Sequence, residues 1–164
     1  MELPPPEIVR RWFRYDAETG FLYRGAVKVG RRDKFGHLRA PLRWGDESGG
    51  YPVHRIAWCV YHGSWPSGVI DHINGKPDDN RLTNLRDVSR SENNKNMSMS
   101  SRNTSGVVGV SWAKDRKKWR AKIKSQNKVY ELGFFSAFED AVRARKEAER
   151  EHGFHKNHGR KKTP

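Results

Sequence analysis

Between Lys95 and Gly106 the chain reads KNMSMSSRNTSG, a polar stretch of small residues with no hydrophobic period. Such a segment offers neither a helix stripe nor a strand face to a core. It reads as a linker and divides the chain into separately folded parts. Only 34% of the 164 residues are hydrophobic, which also argues against one large core. Six Trp and seven Phe compensate, because aromatic side chains bury much area per residue. Several small cores are expected.

Before the linker the pattern is mixed. Glu7 to Phe13 suits one or two helical turns, and Asp16 to Gly20 reads as a turn followed by Phe21-Leu-Tyr-Arg. Alternation at Leu38–Leu42 and Tyr51–Arg55 predicts short strands. His54 to Tyr61 predicts a short helix with Ile56, Ala57, Trp58 and Val60 on its apolar side, and His54 is assigned to capping or packing it. After the linker, Val108–Trp112, Trp119–Lys124 and Val129–Leu132 alternate between polar turns, the pattern of a three-stranded antiparallel meander. Ser136 and Glu139 fit a capping box. Phe138, Ala141, Val142, Arg145 and Ala148 follow at helical spacing, with Gly153 as a stop. The closing HKNHGRKKTP reads as a disordered basic tail.

The formal charge of +14 favours a polyanionic partner, since Lys and Arg gain affinity for DNA by releasing counterions. A single cysteine, Cys59, excludes an internal disulfide and a Cys-rich zinc site, and its apolar neighbours mark it as a buried, inert thiol. No apolar run approaches the roughly 20 residues needed to span a membrane, and MELPPPEIVRRWF lacks the apolar region of a signal peptide. The protein is expected in a cytoplasm, without a membrane partner or a small-molecule cofactor.

The most informative stretch is VIDHINGKPDDNRLTNLRDVSRSENNKN, residues 69–96. Val69-Ile70 leads into Asp71-His72 as the end of a strand. Gly75 and Pro77 supply a turn, and Arg81 to Arg86 returns as a second extended segment. Ser89 and Glu92 form a second capping box, so a helix starts near Arg90 with Asn93 in its first turn. Strand, loop, strand and helix in this order suit one hard cation. Mg2+ (or Mn2+) takes oxygen ligands, which Asp71 and the Asn93 amide would supply. His72 would take a proton from the attacking water, and the Asn84 side-chain oxygen would accept its other N–H. Asn80, Asn84, Asn93, Asn94 and Asn96 can each also be read as turn or cap residues.

The same stretch resembles the ββα-metal site of the HNH homing endonucleases, and HRIAWCVYHGSWPSGVIDH and YDAETGFLYRG look like the lead-in of the phage versions. The resemblance implies His72 as general base, Asp71 and Asn93 as metal ligands, and Asn84 as the residue orienting His72. Arg81 and Arg86 flank the site and read either as phosphate contacts, since the local substrate would be anionic, or as solvated charge. Residues 106–157 resemble an AP2 domain, carried by GVSWAKDRKKWRAKI, LGFFSAFEDAVRA and HGFHKN. Strand alternation would send Trp119, Ala121 and Ile123 to the helix and Arg120, Lys122 and Lys124 outward, where sheet readers of DNA meet the major groove. Val110 and Trp112 are assigned inward, and Ser111 and Lys114 join the DNA face. Val108 and Ser111 stand where the plant members of that family carry arginine.

The expected fold is therefore α+β: a ββα-metal nuclease unit, then a small three-stranded antiparallel sheet packed on one helix. The expected boundaries are 1–50 as an accessory β-rich region, 51–97 as the nuclease unit and 98–105 as the linker. The DNA-binding domain takes 106–157 and the tail 158–164. The expected activity is metal-dependent cleavage of double-stranded DNA in a bacterial or phage-infected cell, with monomer and homodimer both open. The rival reading is a non-catalytic DNA-binding protein on the same scaffold.

Overall fold

The structure, a computed structural model, describes residues 3–45 and 47–161. It is a mixed α/β protein built on small antiparallel sheets, and the chain divides into two units, Met1–Ser89 and Arg90–Pro164.

In the first unit, proline opens helix α1 (Pro6–Trp12), where its fixed φ suits the first turn and its missing N–H is no loss. Strands β1 (Arg14–Tyr15), β2 (Leu22–Arg24) and β3 (Val27–Val29) form one sheet. A second holds β4 (Arg31–Arg32), β5 (Leu38–Trp44) and β6 (Glu47–Pro52). Along β5, Ala40 and Leu42 are buried while Arg39, Pro41 and Arg43 are exposed, so one face of the strand enters the core. Helix α2 (Val53–His62) follows Pro52 directly and buries Val53, Ile56, Ala57 and Cys59. Gly63, at φ +72°, ends it in the left-handed conformation and donates its N–H to the Cys59 carbonyl.

The core joins Val9, Phe13, Leu22, Ala40, Leu42, Val53, Ile56 and Cys59. Complete burial of Ile56 contributes roughly 1.5–3 kcal/mol, and burial pushes the Cys59 thiol up to about 11. Half of these core residues precede residue 41, so the chain does not part at residue 50. The apolar face of α2 is covered by α1, β1, β5 and β6, and residues 1–50 belong to the same body.

Strands β7 (Val69–His72) and β8 (Leu85–Val88) form a separate antiparallel pair within this unit, with Asp71 opposite Arg86 and His72 opposite Leu85. The return segment expected over 81–86 is extended only from Leu85, because Leu82–Asn84 forms a 3-10 turn. The carboxylate of Asp87 accepts the Ser67 N–H, the Ser67 hydroxyl and the Gly68 N–H, fixing the entry of β7.

The second unit begins with the short helix α3 (Arg90–Asn94). Strands β9 (Val110–Ala113), β10 (Lys118–Ser125) and β11 (Lys128–Phe135) form a sheet in the order β11-β10-β9. Gln126 and Asn127 turn β10 into β11 with φ +49° and +61°, the backbone of a two-residue hairpin turn that matches strand twist. Helix α4 (Phe138–Glu151) packs on β10 and β11 over Val110, Ala121 and Ala141. It starts later than the Ser136 capping box implies. Its N-cap is Ala137 and no side chain caps it, although Glu139 and Asp140 still place negative charge at its positive end.

Three further expectations change. Trp112 is 47% exposed rather than core, because it lies edge-on to Trp119 across the strand pair and Trp119 takes the interior place against Phe138. Residues 98–105 are not wholly a linker, since Met99 N–H donates to the Arg160 carbonyl at 2.8 Å. The tail is tied down through Arg160: Gly159 N–H reaches the Met97 carbonyl at 2.8 Å, and His155 N–H reaches that of Lys95 at 3.1 Å. These bonds use backbone groups, which carry no trace in composition.

Candidate active site

Asp71 and His72 occupy the last two positions of β7, both nearly buried. Alternation along a strand sends neighbouring side chains to opposite faces, so the two meet different partners. Asp71 Oδ2 accepts two bonds from its cross-strand neighbour Arg86, from Nε at 2.9 Å and Nη2 at 2.7 Å. The guanidinium assigned to phosphate therefore holds the carboxylate assigned to metal.

His72 Nε2 donates to Asn80 Oδ1 at 3.0 Å, which leaves the ring lone pair to Nδ1. Burial lowers the His72 pKa by disfavouring the charged ring. The Asn80 bond works against that shift, and the nearby His37 adds to it. A base must be uncharged to accept a proton, so the pocket favours the basic form.

Asn84 does not orient His72. Its Oδ1 accepts the Asn74 N–H at 2.9 Å and its Nδ2 donates to the Asp79 carbonyl at 2.7 Å, so it closes the loop over residues 73–84 on itself. The amide on the imidazole is that of Asn80, only 1% exposed, whose backbone carbonyl accepts the Tyr15 hydroxyl at 2.7 Å. The turn before β2 presses on the same loop. A Cβ at Gly20 would lie 2.5 Å from Arg81 N, and φ there is +75°, so only glycine fits.

Arg81 is held by Asp79, with Nη2 to Oδ2 at 2.7 Å and Nε to Oδ1 at 2.8 Å. The Arg81 bonds, aided by the Asn74 amide, bring the Asp79 carboxyl down to about 2. Its folded pKa lies below the unfolded value of about 3.9. It therefore stabilises the fold fully above pH ~4, and that contribution disappears as the pH falls towards 2. Asp79→Asn should remove about 1 kcal/mol of this acid-dependent loss, given solvent screening of the pair. Denaturant unfolding of both proteins at pH 5, 4, 3 and 2 checks this, and identical pH profiles would contradict it.

A third ring system surrounds His72. His37, in the turn before β5, and His54, in the first turn of α2, lie with ring centroids 5.6 and 5.1 Å from it and 5.3 Å from each other. One ring nitrogen of each lies within 4.8 Å of the others. Burial drives the His54 pKa down to about 3, with His72 and His37 adding to the effect. Sequence reasoning treated His54 as packing and gave His37 no role. Three histidines from a turn, a helix and a strand have no common spacing that could mark them.

Asn93 lies on α3, in the second unit. In that unit Ser111, Lys114, Lys122 and Lys124 are exposed. Arg120 is paired with Glu131, at 2.6 and 2.8 Å. Ala121 and Ile123 point into the core between these basic residues. Among the described residues no helix is long and apolar enough to cross a membrane.

A 78-residue stretch, 47% of this chain, is 41% identical to Protein 3.8 of Escherichia phage T7 and spans 64% of that relative. A solved structure described as DNA binding and cleavage by the HNH homing endonuclease I-HmuI is 26% identical. That alignment covers 55% of this chain and 53% of its own, with a TM-score of 0.42. Residues 51–95, which include Asp71, His72, Asn84 and Asn93, match the family model described as HNH endonuclease.

Proposed function

We propose that this protein is a metal-dependent DNA endonuclease of the HNH homing type, whose first unit cuts a phosphodiester bond and whose second unit holds the duplex. The observation that carries this reading is the adjacent pair Asp71-His72 at the end of β7, inside the stretch that matches the HNH endonuclease family model. The net charge of +14 supplies the attraction to a polyanion.

Asp71, next to last on β7, would offer a hard divalent ion such as Mg2+ the carboxylate oxygen that such an ion takes. When bound, the ion supplies positive charge to the phosphate and its leaving oxygen. His72 takes a proton from water at Nδ1 while Asn80 keeps the ring fixed through Nε2. The water oxygen joins phosphorus, one P–O bond to the sugar breaks, and the leaving oxygen is protonated by solvent. Asn84 is a positioning residue, because it shapes the loop that carries Asn80. Arg86 steadies Asp71, and a phosphate arriving at the site competes for its guanidinium.

Supercoiled plasmid incubated with the protein tests this function. Nicked or linear product should form with Mg2+ or Mn2+ and vanish with chelator. Binding without cleavage in either ion would leave a DNA-binding scaffold in place of an enzyme.

The DNA face of the second unit is assigned to Ser111, Lys114, Arg120, Lys122 and Lys124. Arg120 can exchange Glu131 for phosphate, because a partly exposed ion pair contributes only about 0–1 kcal/mol. Replacing Lys122 and Lys124 together with glutamine should lower the slope of log affinity against log salt by about 2. An unchanged slope in a salt titration of DNA binding would place the contacts elsewhere.

A further inference from the structure

We infer that His37, His54 and His72 form a binding site for one borderline transition-metal ion of the Zn2+ class, and that this ion switches the nuclease off by taking His72. The second part rests on the reading of His72 as the base.

Three ring nitrogens already lie within 4.8 Å of one another. Tetrahedral coordination at about 2.0–2.1 Å brings ligand nitrogens to roughly 3.3 Å apart. Closing the remaining distance needs small rotations of rings that already touch edge to face. His54 is 9% exposed, and its Nδ1, like that of His37, is buried with no hydrogen-bond partner among the described residues. A buried polar nitrogen without a partner is costly, and two in one cluster call for a ligand that satisfies both. Imidazole nitrogens select Zn2+, Co2+, Ni2+ or Cu2+. Mg2+ takes oxygen and would not compete for them.

The consequence for His72 does not depend on which nitrogen binds. A neutral imidazole has one lone pair, and a metal on either nitrogen leaves the proton on the other. The metal-bound ring therefore has nothing left to accept a proton from water. His37 and His54 exchange no proton with water or phosphate in the proposed step, so the inhibitory ion and the catalytic ion can be separated by mutation.

The test uses the full chain, with Co2+ as a spectroscopic probe and Zn2+ measured by competition with a chromophoric chelator. The unmodified protein should bind one Co2+ with the intense visible absorption of a four-coordinate site. His37→Ala should weaken Zn2+ binding at least ~10-fold. His37→Asn, which keeps a polar group at that turn, guards against loss by misfolding. Zn2+ added to the Mg2+ reaction should abolish cleavage by the unmodified protein, and each His37 variant should keep the rate that it shows without Zn2+. Absence of Co2+ binding, or Zn2+ affinity unaltered by both variants, would overturn the site. Binding that depends on His37 without inhibition would overturn the switch. Binding that depends on His37 in a protein that never cleaves would keep the site and remove the nuclease reading.

Discussion

Replacing His72 with alanine is expected to slow DNA cleavage at least ~100-fold, the lower range for loss of a positioned general base. The side chain is 5% exposed, fixed at Nε2 by Asn80 and kept uncharged by burial. Each feature matters to a proton acceptor: the ring is oriented, its lone pair is assigned to one nitrogen, and burial favours its uncharged form. Because the pKa is lowered, the acid limb of the rate profile should lie below the usual histidine value of about 6.5. Asn80→Ala should cost less than His72→Ala, since it loosens the ring without removing the base. His72→Ala should bind DNA as the unmodified protein does and show an unaltered circular dichroism spectrum. A loss below ~10-fold in single-turnover cleavage would remove His72 from the chemistry.

The second large effect lies in the other unit. Arg145 is 3% exposed on α4, with Nε 3.0 Å from Glu149 Oε1 and Nη1 donating to the Lys122 carbonyl at 2.8 Å. Its Nη2 lies 3.2 Å from His158 Nε2. One guanidinium thus joins helix, sheet and C-terminal segment, and a Cβ at Gly109 would sit 3.0 Å from it. Arg145→Ala would leave Glu149 buried with Lys146 as its remaining cation and the Lys122 carbonyl without its side-chain donor. The expected cost is about 3–5 kcal/mol, the range for breaking a buried ion pair from one side. Arg145→Lys should recover little of it, because one ammonium cannot reproduce three directed contacts. Denaturant unfolding measures the effect, and a loss under about 1 kcal/mol would show that the pair is dispensable.

The parts of this fold that were legible are those written in local sequence. The alternation of β10 identified Ala121 and Ile123 as inward, and both are buried. The apolar side of α2 was visible in Ile56 and Ala57, and the Asp71-His72 pair stands at a strand end marked by Val69-Ile70. Arg145 stood at the helical spacing of the apolar stripe of α4, and it is buried there; its pairing with Glu149 was not read from that spacing. What remained hidden depends on distant contacts. Asn80 and Asn84 look alike in an asparagine-rich loop, and the choice between them follows from how Tyr15 and Gly20 close on that loop. Trp112 and Trp119 both sit on alternating strands, but only Phe138 decides which is enclosed. Residue 50 looked like a boundary because its glycines and charges hide the cover that α1 and β5 give α2. The three histidines around His72 come from separate elements and meet only in the folded unit.

The account turns on Asp71 as a ligand of the ion that makes the neighbouring histidine effective. Its most direct test is single-turnover nicking by the unmodified protein and Asp71→Ala across a Mg2+ titration. Cleavage should require the ion, and Asp71→Ala should need at least ~10-fold more Mg2+ for half its maximal rate. Matching Mg2+ dependence in the two proteins would contradict the account.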